Sequence, residues 1–333
     1  MDALMRPRVF ITQPIVESAL ERLRAVTEVK FNRDSSRILA RKALLAGVRK
    51  CDILFSFLHD KIDRQVIAAN PKLRAVTSMA ISPSDIDIAA ATARGVAITI
   101  VPPIVTEATA DINFGLMLAV ARRMIEGDRL VHRGIFPGGQ SNHILGSWVW
   151  SKTLGLIGGG GRIGTAVARR ARGFGMRVLY WTPRRKPENL EREFGMTYVP
   201  FDQLLAESDF VSLHSPLRPE TRHQIGTREL ALMKPSAFLI NTARGPIVDE
   251  AALVLALKKR QIAGAGLDVF ENEPKVSAAL LKMPNVVTTP HLGSAVFEVR
   301  EKMANIVVDN ILAILDGRKP PNCVNPEIYA AST

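Results

Sequence analysis

The chain alternates short apolar runs with amphipathic stretches, and this alternation occurs twice along the sequence. Short apolar runs are typical of strands that are buried on both faces of a sheet. The stretches between them carry apolar residues at helical spacing. Strands that alternate with helices in this way form parallel sheets covered by helices on both sides. The sequence therefore predicts an α/β protein with two doubly wound parallel-sheet domains.

The two alternations are separated by Pro102-Pro103, where we place a crossing between domains. The predicted strands are residues 8–12, 29–32, 52–57, 73–78, 96–101, 154–157, 177–181, 210–214, 237–241, 264–269 and 286–289. The predicted helices are residues 15–25, 37–48, 63–69, 85–93, 104–126, 162–174, 201–206, 228–233, 249–259 and 297–315.

Composition excludes several classes of protein. A length of 333 residues corresponds to about two domains, and 47% apolar residues exclude a disordered chain. Cys51 and Cys323 are too few for a disulfide scaffold or a cysteine-built zinc module, and we predict free thiols with Cys51 buried and inert. His132 and His143 lack metal-ligand spacing, so no metal site is predicted.

The net charge of +12 comes from scattered Lys and Arg residues. This pattern favours a merely solvated basic surface, with attraction of anionic small molecules as the alternative, and no nucleic-acid partner is predicted. The richest apolar stretch, residues 114–121, ends at Arg122-Arg123 and is far shorter than the roughly 20 residues of a membrane span. The N-terminal sequence lacks the pattern of a signal peptide, so we expect a cytoplasmic protein with no membrane partner.

A glycine-rich turn follows the predicted strand 154–157. The sequence GGGGRIG places Gly159, Gly161 and Gly164 at the spacing G-x-G-x-x-G, directly before a predicted helix. In a dinucleotide site the first glycine permits a tight turn, the second lets the backbone approach a pyrophosphate, and the third lets the helix pack on the strand. The N-terminus of the helix then offers N–H groups and positive charge to the phosphates. We therefore predict dinucleotide binding here.

The next strand predicts which dinucleotide is bound. An NAD site normally carries Asp or Glu after this strand to bind the ribose 2′-hydroxyl. The sequence instead has Thr182, Arg184 and Arg185. Guanidinium groups bind a 2′-phosphate through paired hydrogen bonds. NADP(H) is therefore favoured, with NAD(H) as the alternative.

Three residues that suit carboxylate binding and proton donation lie at or near strand ends of the second half: Arg244, Glu273 and His291. Ligands of open α/β sheets bind at the carboxyl ends of strands. An arginine can bind a carboxylate, and a glutamate beside a histidine stabilises the imidazolium form, which can donate a proton. From residue types alone, a surface arginine and a structural histidine remain equally good explanations.

Several separated segments, in order, resemble the D-isomer-specific 2-hydroxyacid dehydrogenases, most closely the glyoxylate/hydroxypyruvate reductases. They are TEATADINFGLMLAVARR, GRIG, SDFVSLHSPL, FLINTARGPIVDEAALVLAL, AGAGLDVFENEP and TPHLGSA, and the similarity covers essentially the whole chain. The resemblance implies a flavodoxin-like substrate domain (residues 1–102 and 294–333), a Rossmann NAD(P)-binding domain (103–293) and an active-site cleft between them. It also implies a homodimer paired through the cofactor domains, and we favour core or dimer packing for Trp148 and Trp150.

The resemblance also implies roles for individual residues in the reduction of a 2-keto acid to a D-2-hydroxy acid. Arg244 would bind the substrate carboxylate and carbonyl oxygen, His291 would protonate that oxygen, and Glu273 would orient His291. Phe57, Ile81 and Ser82 would lie on the substrate side, where a contact from His59 is a weaker expectation. The residues expected to contact the coenzyme are Thr106, Gly159, Gly160, Gly161, Arg162, Ile163, Gly164, Thr182, Arg184, Arg185, His214, Pro216, Thr242, Ala243, Asp268 and Gly293.

Two segments depart from the family pattern. The glycine turn has one residue more than the usual VGFGRIG, and we expect a bulged strand end with binding retained. The substrate loop, usually like VGYDNID, is Ile81-Ser82-Pro83-Ser84 followed by Asp85-Ile86-Asp87. Pro83 has no N–H group and restricts Ser82, while the N–H groups of Ile81 and Ser82 survive. We expect carboxylate binding with an altered pocket that prefers another, larger 2-keto acid over glyoxylate.

Three other interpretations stay open. The first is a dinucleotide-sensing binding protein, like the corepressors that share this fold, which would also contain Arg244, Glu273 and His291. The absence of an Asp or Glu to bind the ribose 2′-hydroxyl argues against a sensor of NAD. A dehydrogenase for an unusual donor such as phosphite would carry a lysine in the substrate loop, and residues 78–87 contain no Lys or Arg. An enzyme disabled by the Ser82-Pro83 loop is the third.

Overall fold

The computed structural model describes residues 6–332. The chain divides into two compact units. The first runs up to Ile104 and resumes at Val296, and the second is Val105–Ala295. Each crossing lies two residues beyond the one expected from the sequence. Within residues 6–332, no helix is both long and apolar enough to cross a membrane.

The strands are short, and all pair in parallel. They are β1 (Arg8–Ile11), β2 (Glu28–Phe31), β3 (Ile53–Ser56), β4 (Ala75–Ser78), β5 (Ala97–Thr99), β6 (Thr153–Ile157), β7 (Arg177–Trp181), β8 (Met196–Tyr198), β9 (Phe210–Leu213), β10 (Phe238–Asn241), β11 (Gly264–Leu267) and β12 (Val286–Thr288).

Helices connect the strands. They are α1 (Glu17–Val26), α2 (Arg41–Val48), α3 (Arg64–Ala68), α4 (Ile88–Thr92), α5 (Thr106–Ala121), α6 (Met124–His132), α7 (Arg162–Gly173), α8 (Glu188–Phe194), α9 (Phe201–Glu207), α10 (Thr227–Leu232), α11 (Glu250–Lys258), α12 (Ala278–Leu281) and α13 (Phe297–Leu315).

The first unit contains a sheet in the order β2-β1-β3-β4-β5. This is the flavodoxin-like order of a doubly wound domain, as predicted. Strands β3 and β4 are buried along their whole length, because helices cover both faces of the sheet. The C-terminal helix α13 packs against α1 and against this sheet, so the last part of the chain completes the first unit.

The second unit contains a sheet in the order β12-β11-β10-β9-β6-β7-β8. The chain starts in the middle at β6, proceeds outward through β7 and β8, and returns to the other side at β9. This is the Rossmann arrangement, and its switch point lies between β6 and β9, where ligands of such sheets bind. The two parallel sheets confirm the predicted fold class.

The predicted helix 104–126 is interrupted. Helix α5 ends at Ala121 and α6 begins at Met124, because Arg123 adopts a left-handed conformation with φ of 51°. A left-handed residue cannot continue a right-handed helix. Strand β8 and helices α8 and α12 are not predicted from the sequence, and each is shorter than eight residues. Cys51 is buried, and burial raises the pKa of its thiol to about 12, which agrees with the predicted inert cysteine.

Helix α5 lies close against β11, and glycines in that strand make this possible. A Cβ atom on Gly266 would lie 3.0 Å from Leu116 Cβ, and a Cβ on Gly264 would lie 2.5 Å from the Asn285 carbonyl oxygen. A Cβ atom is fixed to the backbone, and the Asn285 carbonyl oxygen is itself backbone. No side-chain rotation could therefore relieve the contact at Gly264. The position of β11 therefore depends on these two glycines.

We expect Gly264→Ala to lower the free energy of unfolding by about 1–3 kcal/mol, because the strand must shift from its neighbours. Gly115→Ala is the matched control: Gly115 is exposed in α5, and a Cβ added to it would have no heavy atom within 4 Å, so we expect a gain of about 0.5–1 kcal/mol. Unfolding in urea measures both. Equal stability of Gly264→Ala and the parent would contradict the tight packing of β11.

Candidate active site

The glycine turn follows β6 without a bulge. Pairing with both neighbouring strands is continuous through Ile157, and the Gly158 N–H donates to the Trp181 carbonyl oxygen at 2.8 Å. The expected bulged strand end is therefore wrong. The additional residue lies in the turn, where Gly158 has a φ of 79° that suits glycine. A Cβ at Gly158 would lie 2.6 Å from Ser215 N, so the turn closely abuts the end of β9.

The glycines of the motif differ in what surrounds them. A Cβ on Gly164 would lie 2.4 Å from the Gly159 carbonyl oxygen, so these two glycines pack the helix against the turn. A Cβ on Gly161 would meet only the Gly158 carbonyl oxygen, at 3.3 Å, and would otherwise occupy open space. This open space directly before α7 is the place where a dinucleotide pyrophosphate fits.

The first turn of α7 is equipped for an anion. The first helical bond of α7 runs from the Thr165 N–H to the Gly161 carbonyl oxygen. Within residues 6–332, the N–H groups of Arg162, Ile163 and Gly164 have no acceptor. Such N–H groups and the positive end of the helix dipole favour phosphate. The turn and helix therefore fit the pyrophosphate of a dinucleotide.

The basic side chains after β7 differ in whether they are paired with an acidic side chain. Arg185 is paired with Glu191, with Nε donating to Oε1 at 2.8 Å and Nη2 donating to Oε2 at 2.7 Å. This pairing lowers the pKa of Glu191 to about 2. Arg184 is exposed and has no side-chain partner among the described residues, while Thr182 Oγ1 donates to the Arg184 carbonyl oxygen. The stem of Lys186 lies over the turn, since a Cβ on Gly160 would be 2.5 Å from Lys186 Cε.

A buried polar network lies at the carboxyl ends of β9 and β10. Asn113 Nδ2, on α5, donates to Ser212 Oγ at 2.9 Å and to Thr242 Oγ1 at 3.0 Å. Ser212 Oγ lies 3.0 Å from His214 Nε2. Burial lowers the pKa of His214, so its ring is neutral at physiological pH. Pro216, two residues further on, is exposed.

The turn that carries Arg244 is held by Asn241, the last residue of β10. Its Oδ1 accepts the N–H of Ala243 at 3.0 Å, and its Nδ2 donates to the Arg244 carbonyl oxygen at 3.0 Å. An amide that closes a turn over its own backbone fixes the direction of the chain after the strand. Arg244 Nη1 donates to the Ala243 carbonyl oxygen at 2.7 Å.

Gly245 brings this turn against the segment that carries Glu273. A Cβ on Gly245 would lie 1.8 Å from the Phe270 carbonyl oxygen and 2.5 Å from Glu271 N. Any other residue would push the two segments apart. Arg244 and Glu273 therefore lie on backbone segments that touch.

Glu273 is oriented by backbone and faces His291. Its Oε1 accepts the N–H of Phe270 at 2.9 Å, and its Oε2 lies 3.0 Å from His291 Nδ1. Both side chains are about one-fifth exposed, 19% for Glu273 and 21% for His291. His291 has a φ of 56°, an uncommon conformation for a residue with a side chain. The imidazole is therefore held at Nδ1, on a backbone that is itself constrained.

The loop of His291 is held by Asp268, which directly follows β11. Asp268 Oδ1 accepts from Thr289 Oγ1 at 2.6 Å and from Leu292 N at 2.7 Å, and Oδ2 accepts from Gly293 N at 2.9 Å. The His291 N–H donates to the Asp268 carbonyl oxygen at 2.9 Å. Burial raises the pKa of this carboxyl group, and these bonds oppose the rise.

The predicted substrate residues of the first unit lie in two loops. Phe57 stacks on Phe55, and its N–H donates to the buried Asp60 carboxylate at 2.7 Å. Burial raises the pKa of Asp60. In the second loop, the N–H groups of Ile81 and Ser82 have no acceptor within the described part of the chain.

Ser82 stands where the family pattern has glycine. It is not among the described residues with a positive φ, so its backbone does not need glycine. Pro83 leaves the next turn intact, since its carbonyl oxygen accepts the N–H of Ile86 at 3.0 Å.

The structure therefore brings Arg244, Glu273 and His291 onto adjacent segments of the second unit. Three further residues of this site are not predicted from the sequence: Asn113, Asn241 and Lys186. Asn241 directly precedes the predicted TARG segment, and a polar side chain at a strand end is a usable signal. No local sequence pattern predicts the hydrogen bonds of Asn113, because its partners Ser212 and Thr242 are 99 and 129 residues away along the chain.

Comparison with known proteins gives the family. Residues 114–293 match the model of the D-isomer specific 2-hydroxyacid dehydrogenase, NAD binding domain. A glyoxylate reductase of Thermococcus litoralis is 46% identical over 98% of this chain and 99% of its own length. Among solved structures, a glyoxylate reductase from Paecilomyes thermophila has a TM-score of 0.80 at 33% identity, covering 97% of this chain and 99% of that one.

A further solved structure, an NADPH-dependent glyoxylate/hydroxypyruvate reductase from Sinorhizobium meliloti in complex with citrate, is 32% identical with a TM-score of 0.76. It covers 96% of this chain and 99% of that one. The family model spans more than half of the chain, and the Thermococcus relative matches nearly all of it. The chain belongs to the D-isomer specific 2-hydroxyacid dehydrogenase family and is an oxidoreductase.

Proposed function

We propose that this protein reduces 2-keto acids to D-2-hydroxy acids. Its relatives in Thermococcus litoralis and Korarchaeum cryptofilum carry the name glyoxylate reductase, and glyoxylate is a 2-keto acid. The observation that carries the proposal is the His291–Glu273 pair at 3.0 Å beside the turn of Arg244. The second unit binds the coenzyme, and the first unit carries the substrate loops. When bound, the nicotinamide coenzyme supplies the hydride.

His291 supplies the proton. Glu273 accepts a hydrogen bond from Nδ1 of the imidazolium and stabilises its charge. The Nε2–H is then the proton donor to the carbonyl oxygen of the substrate. Arg244 binds the substrate carboxylate and the same carbonyl oxygen through its guanidinium N–H groups. After the reaction His291 is neutral, and it regains a proton from solvent.

The substrate loop sets which acid is preferred. The N–H groups of Ile81 and Ser82 bind the carboxylate, and Phe57 forms a wall of the pocket. Pro83 and Ser84 replace the usual residues beyond this contact. We propose that they shift the preference from glyoxylate to a larger 2-keto acid.

The test is oxidation of NADPH and NADH by purified protein with glyoxylate, hydroxypyruvate, pyruvate, and branched and aromatic 2-keto acids. We expect turnover, and we expect His291→Gln to lower kcat by about 10²–10⁴-fold. His223→Gln is the matched control, because His223 Nε2 also contacts a glutamate, Glu271, at 2.7 Å but lies on an exposed turn.

The outcomes separate the alternatives. Glyoxylate as the best substrate by a wide margin would overturn the loop proposal alone. Coenzyme binding without turnover on any acid would overturn the reductase and favour a dinucleotide sensor.

We further propose that NADP(H) is preferred and that Arg184 and Lys186 bind the 2′-phosphate together with Thr182. Arg185 is less suited, because it would have to leave its bidentate pair with Glu191. A cation donating to a phosphate contributes more than a neutral donor.

We expect Arg184→Ala and Lys186→Ala each to raise the KM for NADPH by roughly tenfold and to leave the KM for NADH nearly unchanged. Arg192→Ala is the control, since Arg192 is exposed on the adjacent helix α8. Steady-state kinetics with both coenzymes measure the effect. A parent enzyme with equal KM values for NADPH and NADH would contradict the proposal.

We also propose a homodimer formed through the second unit. The segment from α6 to Trp150 exposes a group of large apolar side chains, with Phe136 81% and Trp148 72% exposed. Val149, between the two tryptophans, is buried. Large exposed apolar patches are typical of interfaces, and a second copy of the chain is the proposed partner. The members of this patch are Met124, Ile125, Val131, Ile135, Phe136, Leu145, Trp148 and Trp150.

We expect light scattering to give a dimer for the parent and a monomer for the double variant Phe136→Glu, Trp148→Glu, because burying two carboxylates is strongly unfavourable. Leu281→Glu, at a 61% exposed leucine outside the patch, should remain dimeric. A double variant that stays dimeric would place the interface elsewhere.

A further inference from the structure

The polar network under the carboxyl ends of β9 and β10 has a definite hydrogen-bond direction. Asn113 is fully buried, and both hydrogens of its Nδ2 are used, one on Ser212 Oγ and one on Thr242 Oγ1. Each hydroxyl therefore accepts one bond and keeps its own hydrogen for a second partner. The hydroxyl hydrogens of Ser212 and Thr242 point toward whichever acceptor lies next to each hydroxyl.

For Ser212, the second partner is His214 Nε2 at 3.0 Å. If Ser212 donates to Nε2, that nitrogen carries no hydrogen. Desolvation lowers the pKa of His214 and favours the neutral ring, so in that arrangement the hydrogen lies on Nδ1. In the described part of the chain, neither His214 Nδ1 nor the hydroxyl hydrogen of Thr242 has a partner. When Ser212 donates to Nε2, both groups are donors that remain available.

The reverse orientation of the Asn113 amide is less favourable. In the present orientation, one buried oxygen, Asn113 Oδ1, lacks a partner. With the amide turned over, Oδ1 would accept from both hydroxyls, and two buried N–H groups would lack acceptors instead. Two unpaired donors cost more than one unpaired oxygen. The surroundings therefore select the orientation in which Asn113 donates.

We propose that Asn113 is a positioning residue that sets the hydrogen-bond polarity of this edge of the sheet, so that Thr242 Oγ1 and His214 Nδ1 both donate toward the coenzyme. The proposal rests on the proposed coenzyme binding. The end of β9 abuts the glycine turn, as the close approach of Gly158 to Ser215 shows. The pyrophosphate and ribose oxygens of a dinucleotide are acceptors, so donors on this edge match them.

The first test needs no coenzyme and no variant of Asn113. Long-range ¹H–¹⁵N correlation spectra of the ¹⁵N-labelled protein report which ring nitrogen of each histidine carries hydrogen, and a His214→Gln sample identifies the signal of His214. We expect the Nδ1–H tautomer. Observation of the Nε2–H tautomer would overturn the proposal.

The second test removes the donor. Asn113→Leu keeps the approximate volume and removes both N–H groups, so Ser212 is no longer oriented. We expect a mixture of His214 tautomers and a Kd for NADPH, measured by quenching of protein fluorescence, that rises about threefold to tenfold. Asn310→Leu is the matched control, because Asn310 is also a fully buried asparagine in a helix, and it lies in the first unit. It should leave the tautomer and the Kd unchanged.

Ser212→Ala supplies an independent variant in case Asn113→Leu does not fold. It breaks the link between Asn113 and His214 and leaves the bond to Thr242, so we expect the same mixture of tautomers with a smaller change in Kd. Unchanged tautomers in both variants would refute the role of Asn113. A parent protein that shows the Nδ1–H tautomer but binds no dinucleotide would instead refute the proposed coenzyme.

Discussion

The candidate site depends most on the hydrogen bonds that the carboxylate of Asp268 accepts. It accepts three hydrogen bonds from the loop of residues 289–293, and its backbone carbonyl accepts the N–H of His291. A buried carboxylate is stable only when its lone pairs are used in this way. The loop is consequently fixed to the end of β11, and His291 is held in a left-handed conformation that it would rarely adopt in an unconstrained chain.

Close backbone contacts extend this constraint to the other two members of the trio. Gly245 has no room for a Cβ against Phe270, and Asn241 closes the turn that carries Arg244. The three candidate side chains, Arg244, Glu273 and His291, come from segments far apart in sequence. They meet because parallel pairing places the carboxyl ends of all strands at one edge of the sheet. A rigid scaffold of this kind limits how far each side chain can move, which is what proton transfer and substrate orientation require.

The coenzyme side of the same edge is organised by charge and hydrogen-bond direction. The first turn of α7 offers N–H groups without acceptors, and Arg184 is free of side-chain partners among residues 6–332. Arg185, by contrast, is bound by Glu191 and supports the local structure through Tyr180, whose hydroxyl donates to the same glutamate at 2.7 Å. Adjacent arginines with the same chemistry thus differ in availability, and the difference arises from an acid six residues further along the chain.

The sequence by itself determined the fold class, most strand positions and the glycine motif, because periodicity and motif spacing are local properties. It also pointed to Arg244, Glu273 and His291 as candidates, through the family resemblance. It also determined that β7 is directly followed by Thr182 and two arginines in place of an acid. Only the tertiary structure decided that the additional glycine lies in the turn, that helix 104–126 breaks at Arg123, and that Arg185 is occupied. It alone showed the network of Asn113, since its partners lie on two other elements. Contacts between residues distant in sequence depend on how strands and helices pack, and no local pattern specifies them.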